Sequence, residues 1–309
     1  MRKILVASAT CGKGISREEL RSLFNTYELD PVFHPLKDSL DDLKDYEGIL
    51  VGTEHVNADV LNKAENCKVV MKYGVGTDNI DAEACKKRNI LVESMPGINS
   101  DTVAEMAFAL MLSAGRMIPQ NDASMKAGKW QREPGLTTVG KTLGIVGTGA
   151  IGRKLAGYAK GLQMNILGYD VFENEDFKKL GTYVPLEELL KKADFISVHV
   201  PLNNDTYHLI SENELNMMKS TAVLVNTARG GIVDEDALCK ALETGKIRAA
   251  ALDVYEGEKP QDQRLLSLPN LITTPHVAAY AYDTLRKMDR TAAAKLSSVL
   301  NDEDGDKNA

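Results

Sequence analysis

Residues 140–170 read GKTLGIVGTGAIGRKLAGYAKGLQMNILGYD, and this stretch decides the fold. Thr142–Val146 is a short apolar run of the kind that makes a buried strand. It leads into Gly147-Thr148-Gly149-Ala150-Ile151-Gly152, a G-x-G-x-x-G pattern. Such a pattern is weak alone. Here a strand precedes it and a helix over Ile151–Leu162 follows, which is its confirming context. Gly147 then permits the tight turn. Gly149 leaves room for a pyrophosphate against the backbone, and Gly152 lets helix and strand pack closely. The helix start offers unpaired N–H groups and a partial positive charge to phosphate. The next strand, Asn165–Tyr169, ends at Asp170. A carboxylate there suits ribose hydroxyls and repels a 2′-phosphate. Val171, Phe172 and Glu173 follow, with no cation among them, so the site reads as one for NAD rather than NADP. A solvated strand-end carboxylate is the plainer alternative for Asp170.

Outward from this stretch, strands and helices alternate. Upstream, Lys3–Ser8, Gly48–Val51, Val69–Lys72 and Ile90–Val92 read as strands, with helices over Arg17–Asn25 and Ala58–Lys63. Downstream, strands are expected at Phe195–His199, Ala222–Asn226, Ala249–Asp253 and Leu271–Thr273, with helices over Leu186–Lys192 and Glu235–Glu243. This rhythm predicts an α/β fold with parallel sheets covered by helices. SDTVAEMAFALMLS (100–113) interrupts it with a long apolar helix, for core or subunit packing. Gln120–Thr138 is polar. Tyr282–Leu300 reads as a terminal helix, and the charged 301–309 as a frayed end. The expected division is a domain at 97–281 and another built from 1–96 plus 282–309.

The totals narrow the function classes. A chain of 309 residues with 43% apolar content can bury two cores. A net charge of −7 argues against nucleic acid as the main partner. The four cysteines show neither C-x-x-C nor metal-ligand spacing, so no metal is expected. No run approaches the ~20 apolar residues of a membrane span. Met1-Arg2-Lys3 precedes only six apolar or small residues, so no signal peptide is expected and a cytoplasmic setting fits.

Three residues follow predicted strands of the second half: Arg229 in NTARGG, Glu258 in DVYEGE and His276 in TTPH. Ligands of parallel α/β folds bind at the carboxyl ends of strands. Arginine's fork binds carboxylate and carbonyl oxygens together. Histidine moves protons near neutrality, and a paired carboxylate orients its ring. Taken singly, Arg229 and Glu258 also fit solvated loop charges, and His276 a structural histidine. His34, His55, His199 and His208 lack such context and read as mainly structural, with His199 a candidate lining of the cofactor crevice.

At these residues the chain resembles the D-isomer-specific 2-hydroxyacid dehydrogenases. The resemblance runs through KYGVGTDNID (72–81), PGINSDTVAE (96–105), GKTLGIVGTGAIG (140–152), VNTARGGIVDEDAL (225–238), ALDVYEGE (251–258) and TPHVAA (274–279). It implies a Rossmann NAD-binding domain inserted in a flavodoxin-like substrate-binding domain, and a catalytic triad of Arg229, Glu258 and His276. It implies cofactor contacts at Gly147, Gly149, Ala150, Ile151, Gly152, Asp170, Val200, Thr227, Ala228, Arg229, Asp253 and His276, with Asp253 facing the nicotinamide amide. It implies a substrate grip from Lys72, the amides of Val75 and Gly76, and Arg229, and a homodimer through helix 100–113. The implied reaction is oxidation of D-3-phosphoglycerate to 3-phosphohydroxypyruvate, a step of serine biosynthesis. Lys72 stands where a phosphate-binding arginine is common, but Gly52 replaces a second basic position and Glu54 beside it would repel phosphate. Hydroxypyruvate or glyoxylate reduction is therefore the alternative, and a catalytically weak NAD-sensing regulator a remote one. With no regulatory domain after the terminal helix, feedback control by an amino acid is not expected. TPHVAA also departs from the usual TPHIGG.

Overall fold

The computed structural model describes residues 1–305, with side chains described to residue 301. In chain order, the first unit begins with β1 (Arg2–Ala7), α1 (Arg17–Thr26), β2 (Leu29–Phe33), β3 (Gly48–Val51), α2 (Ala58–Lys63), β4 (Val69–Lys72), α3 (Ala82–Lys87) and β5 (Leu91–Glu93). The second unit opens with α4 (Ser100–Gly115), α5 (Ile118–Lys126), β6 (Thr142–Val146), α6 (Ala150–Gly161), β7 (Asn165–Tyr169), α7 (Glu175–Lys178) and β8 (Thr182–Tyr183). It continues with α8 (Leu186–Lys192), β9 (Phe195–Val198), α9 (Glu212–Met217), β10 (Val223–Asn226), α10 (Glu235–Glu243), β11 (Ala249–Leu252), α11 (Gln263–Ser267) and β12 (Leu271–Thr273). The last helix, α12 (Tyr282–Gly305), returns to the first unit. The chain thus divides into Met1–Asn99 with Tyr280–Ala309, and Ser100–Ala279.

Both sheets are parallel. The first has the order β2-β1-β3-β4-β5, the doubly wound order of flavodoxin-like sheets. Its core joins Ile4, Phe24, Val69 and Met71 to Met288, Ala292, Leu296 and Leu300 of α12. The second has the order β12-β11-β10-β9-β6-β7-β8. Its strand direction of travel reverses between β6 and β9, which is where such sheets bind ligands. The α/β class, with a Rossmann unit set inside a flavodoxin-like one, stands as expected from sequence.

Several elements depart from expectation. β2 was not legible because LDPVF carries Pro31, but β2 is an edge strand, where a missing N–H costs no ladder bond. α5 extends into the polar stretch and buries no residue. The apolar side of α4 is spent inside its own unit: Val103, Ala104, Ala107, Leu110 and Met111 are buried. The opposite side keeps Met106, Phe108 and Leu112 half-buried and Ala109 exposed. α12 continues past Leu300 to Gly305, so 301–305 are helical, while 306–309 lie outside the described residues. Among the described residues no helix is long and apolar enough to cross a membrane, and no His, Cys, Asp and Glu group could hold a metal.

Candidate active site

Two features of the second sheet's carboxyl edge stand out. The first is the turn between β6 and α6. Gly147 has φ 98°, and a Cβ there would lie 2.6 Å from the His199 carbonyl carbon, so only glycine fits between the β6 and β9 ends. A Cβ on Gly152 would lie 2.2 Å from the Gly147 oxygen. At Gly149 it would meet nothing within 4 Å, so this part of the turn is open. Gly149 caps α6 without a side-chain hydrogen bond, leaving the first N–H groups of that helix to a ligand. Ala150 beside it is exposed, and Ile151 is half-buried.

Asp170 follows β7 at the tip of the same edge. Its Oδ2 accepts the Thr148 N–H at 2.7 Å and the Thr148 hydroxyl at 3.1 Å, which fixes the carboxylate beside the glycine turn. The Thr148 hydroxyl also lies 2.6 Å from the Tyr183 hydroxyl. Thr227, after β10, is buried, and its hydroxyl has no partner among the described residues. Ala228 and Val200 are half-buried beside it in sequence or across the sheet edge. An open glycine turn, a fixed carboxylate and an orphan hydroxyl fit a dinucleotide such as NAD. His199 is half-buried. Its Nε2 lies 2.9 Å from Ser197 Oγ, and Nδ1 has no partner among the described residues. Burial pulls its pKa down to about 4, so the ring is neutral at pH 7.

The second feature lies across β10, β11 and β12, three neighbouring strands. Arg229, Glu258 and His276 each follow one of them. His276 Nδ1 lies 3.0 Å from Glu258 Oε2. No hydrogen bond engages its Nε2 among the described residues, so that nitrogen is available for proton exchange. Both residues have left-handed backbones, with φ 52° at His276 and 68° at Glu258. Such strain persists only where the surroundings hold it. Asn226 organises the Arg229 loop: its Oδ1 accepts the Ala228 N–H at 3.0 Å, and its Nδ2 donates to the Arg229 oxygen at 2.9 Å. Arg229 Nη1 donates to the Ala228 oxygen at 2.8 Å.

Asp253, expected to face the nicotinamide amide, follows β11. It is fully buried. Its carboxylate accepts the Thr274 hydroxyl at 2.5 Å and the N–H groups of Val277 and Ala278 at 2.9 and 2.8 Å. Its main-chain oxygen accepts the His276 N–H at 2.8 Å. In this arrangement Asp253 fastens the loop that carries His276. Nothing in its sequence position distinguishes that role from a ligand contact.

In the first unit, Lys72 is the last residue of β4. It is buried, and its ammonium donates to the Gly52 oxygen and to Asn79 Oδ1, both at 2.6 Å. Asn79 Nδ2 in turn donates to the Gly52 and Glu54 oxygens at 3.1 and 2.6 Å. The Glu54 carboxylate is occupied too, accepting the Leu36 N–H at 2.9 Å. Val75 is exposed and Gly76 half-buried, and no hydrogen bond engages either amide among the described residues.

The family model for the D-isomer specific 2-hydroxyacid dehydrogenase NAD binding domain matches residues 108–278. The chain is 44% identical to a D-3-phosphoglycerate dehydrogenase of Methanocaldococcus jannaschii over 85% of its length and 52% of that relative's. It is 45% identical to a glyoxylate reductase of Korarchaeum cryptofilum over 79% of its length and 76% of that relative's. It therefore spans about half the length of that phosphoglycerate dehydrogenase. Among solved structures, a D-lactate dehydrogenase from Aquifex aeolicus complexed with NAD and lactic acid superposes with a TM-score of 0.86, at 30% identity, covering 99% of this chain and 97% of that one.

Proposed function

The chain belongs to the D-isomer specific 2-hydroxyacid dehydrogenase family, and from that premise we propose that it is an NAD-linked oxidoreductase acting at carbon 2 of a small 2-hydroxy acid. The observation that carries this reading is the His276–Glu258 pair, with Arg229 on the neighbouring strand end. The open Gly149 turn, the α6 amino terminus and Asp170 would hold the dinucleotide, with Gly147, Gly152, Ala150, Ile151, Val200, Thr227 and Ala228 shaping that surface. Bound NADH supplies the hydride. Arg229 binds carboxylate and carbonyl oxygens through its fork. His276 gives a proton from Nε2 to the oxygen on carbon 2, while Glu258 keeps the ring oriented through Nδ1. In oxidation His276 takes that proton back. The unengaged amides of Val75 and Gly76 are proposed as anion contacts on the first unit, which would make that unit the substrate-binding one.

Lys72 favours an unphosphorylated acid. Its charge is already committed to Gly52 and Asn79, so hydroxypyruvate or glyoxylate, taken in the reductive direction, is the reading the geometry supports best. The second reading, D-3-phosphoglycerate oxidation at the entry to serine biosynthesis, is favoured by the relative that bears that activity's name. A kinetic panel of phosphohydroxypyruvate, hydroxypyruvate, glyoxylate and pyruvate with NADH decides between them. A kcat/KM highest for phosphohydroxypyruvate would reverse the preference, and no NADH oxidation with any of the four would remove the dehydrogenase reading in favour of an NAD-binding regulator.

We also propose a homodimer in a reducing, cytoplasmic setting. Four buried, unpaired cysteines suit the compartment. The pairing surface proposed is the side of α4 that keeps Met106, Phe108, Ala109 and Leu112 unburied, continued by the exposed Ile118, Met125, Trp130 and Val139. Sedimentation of the wild type against Trp130→Glu tests this, with a monomeric wild type excluding it.

A further inference from the structure

The geometry points to His208 as a positioning residue: with Glu256 it holds the Glu256–Glu258 turn against the Arg229–Gly231 loop, the arrangement on which the His276–Glu258 pair depends. This rests on the proposed function for its catalytic consequence. The mechanical part stands on contacts alone.

Glu256 and Glu258 share one three-residue turn, and each faces a different histidine. Glu258 Oε2 lies 3.0 Å from His276 Nδ1, and Glu256 Oε1 lies 2.7 Å from His208 Nε2. The turn has two consecutive left-handed residues, Gly257 at φ 65° and Glu258 at φ 68°. Glycine adopts that conformation freely, whereas glutamate does not. Something outside the turn must therefore keep it there.

The fastenings converge on the segment before Glu258. The Glu256 N–H donates to Glu235 Oε1 at 2.7 Å, and the Glu258 N–H to the Tyr255 oxygen at 3.1 Å. A Cβ on Gly230 would lie 1.9 Å from the Tyr255 carbonyl, so the residue after Arg229 lies flush against this backbone. His208 joins the two pieces. Its N–H donates to the Gly231 oxygen at 2.7 Å, while its ring reaches Glu256. The ring is itself held: it stacks on Tyr207 with centroids 4.0 Å apart and planes 15° from parallel, and Nδ1 lies 3.7 Å from Asp234 Oδ2. Asp234 is fixed by the Ser211 hydroxyl at 2.7 Å and the Ala237 N–H at 3.0 Å. One residue thus grips the main chain two places after Arg229 and the side chain two places before Glu258. It touches neither of those two side chains in the contacts described, which makes it a brace rather than a catalytic group.

The test uses the whole chain with His208→Ala and His208→Gln, since glutamine keeps an N–H within reach of Glu256. Hydrogen exchange by mass spectrometry is read on peptides covering 228–233 and 255–259, with β6 and β9 peptides as the folding control. His208→Ala is expected to raise exchange in both loops and leave the controls unchanged. It is expected to lower kcat about tenfold, with NADH Kd by fluorescence within about twofold of wild type. His208→Gln is expected to recover most of both effects. If His208→Ala disturbs the controls, Glu256→Gln, which weakens the same contact from the other side, takes its place with the same expectations. Unmoved loop exchange, an unmoved kcat, or no recovery by the glutamine variant overturns the inference. His276→Ala reports separately on the catalytic reading: if it keeps full turnover, that reading falls while the exchange result still stands.

Discussion

The two sheets end in similar ways and use their ends differently. At the carboxyl edge of the second sheet, His276 and Glu258 are paired yet partly exposed, with side-chain exposures of 34% and 42%, and His276 keeps a ring nitrogen unengaged. At the carboxyl edge of the first, Lys72 is only 9% exposed, and its ammonium is tied to Gly52 and Asn79. Both edges carry a charged residue where ligands of such folds bind. The difference teaches that residues at equivalent strand ends can be left with very different capacity for a ligand. What decides is how much hydrogen-bonding capacity the fold leaves unspent.

The sharpest way to break this contrast is a pair of substitutions. His276→Ala is expected to lower kcat by ~10²–10⁴-fold, the range for a lost general acid–base, with NADH binding and Tm unchanged. Stopped-flow and steady-state rates check it, and full turnover would remove the distinction. Asp170→Ala is expected to weaken NADH by ~1.5–3 kcal/mol, the range for charge-assisted hydrogen bonds, and to narrow the preference for NADH over NADPH. Titration with both cofactors measures it. Lys72→Met is expected to act on stability instead, at a cost of ~1–3 kcal/mol, because buried Asn79 Oδ1 loses the ammonium donor and the Gly52 oxygen keeps only Asn79 Nδ2. Denaturant unfolding reads the loss. A selective fall in kcat/KM for phosphohydroxypyruvate would instead make Lys72 a phosphate reader.

The smallest expected effect is on pH dependence. His199 has a folded pKa of about 4 against the ordinary 6.5, because burial disfavours its charged form. The unfolded chain therefore binds the proton first. This contribution to stability is complete above pH 6.5 and is lost as pH falls toward 4. Replacing His199 with Gln should flatten unfolding free energy over that window, and an unchanged slope would place the sensitivity elsewhere.

The strand–glycine–helix–strand run at 142–170 was legible because its information is local: apolar runs, glycines and a terminal carboxylate in fixed order. The same holds for the strand ends bearing Arg229, Glu258 and His276. What escaped the sequence is non-local. β2 is tolerated with Pro31 only because it lies at an edge. Lys72 finds its partner Gly52 twenty residues away, and Asp253 meets the 274–278 loop across neighbouring strands. His208 read as an ordinary structural histidine because Glu256 lies 48 residues on, and no periodicity announces such a pairing.

The path of α12 has a consequence in time as well as in space. A ribosome delivers residues 100–279 in one continuous piece, so the inserted unit holds all its strands before the last helix has been made. The first unit waits: Ile4, Phe24 and Met71 lack their cover until Met288, Ala292, Leu296 and Leu300 arrive. During synthesis β1 is thus made well before it can be covered, and the nascent chain carries an open apolar sheet face that invites chaperone attention until α12 emerges.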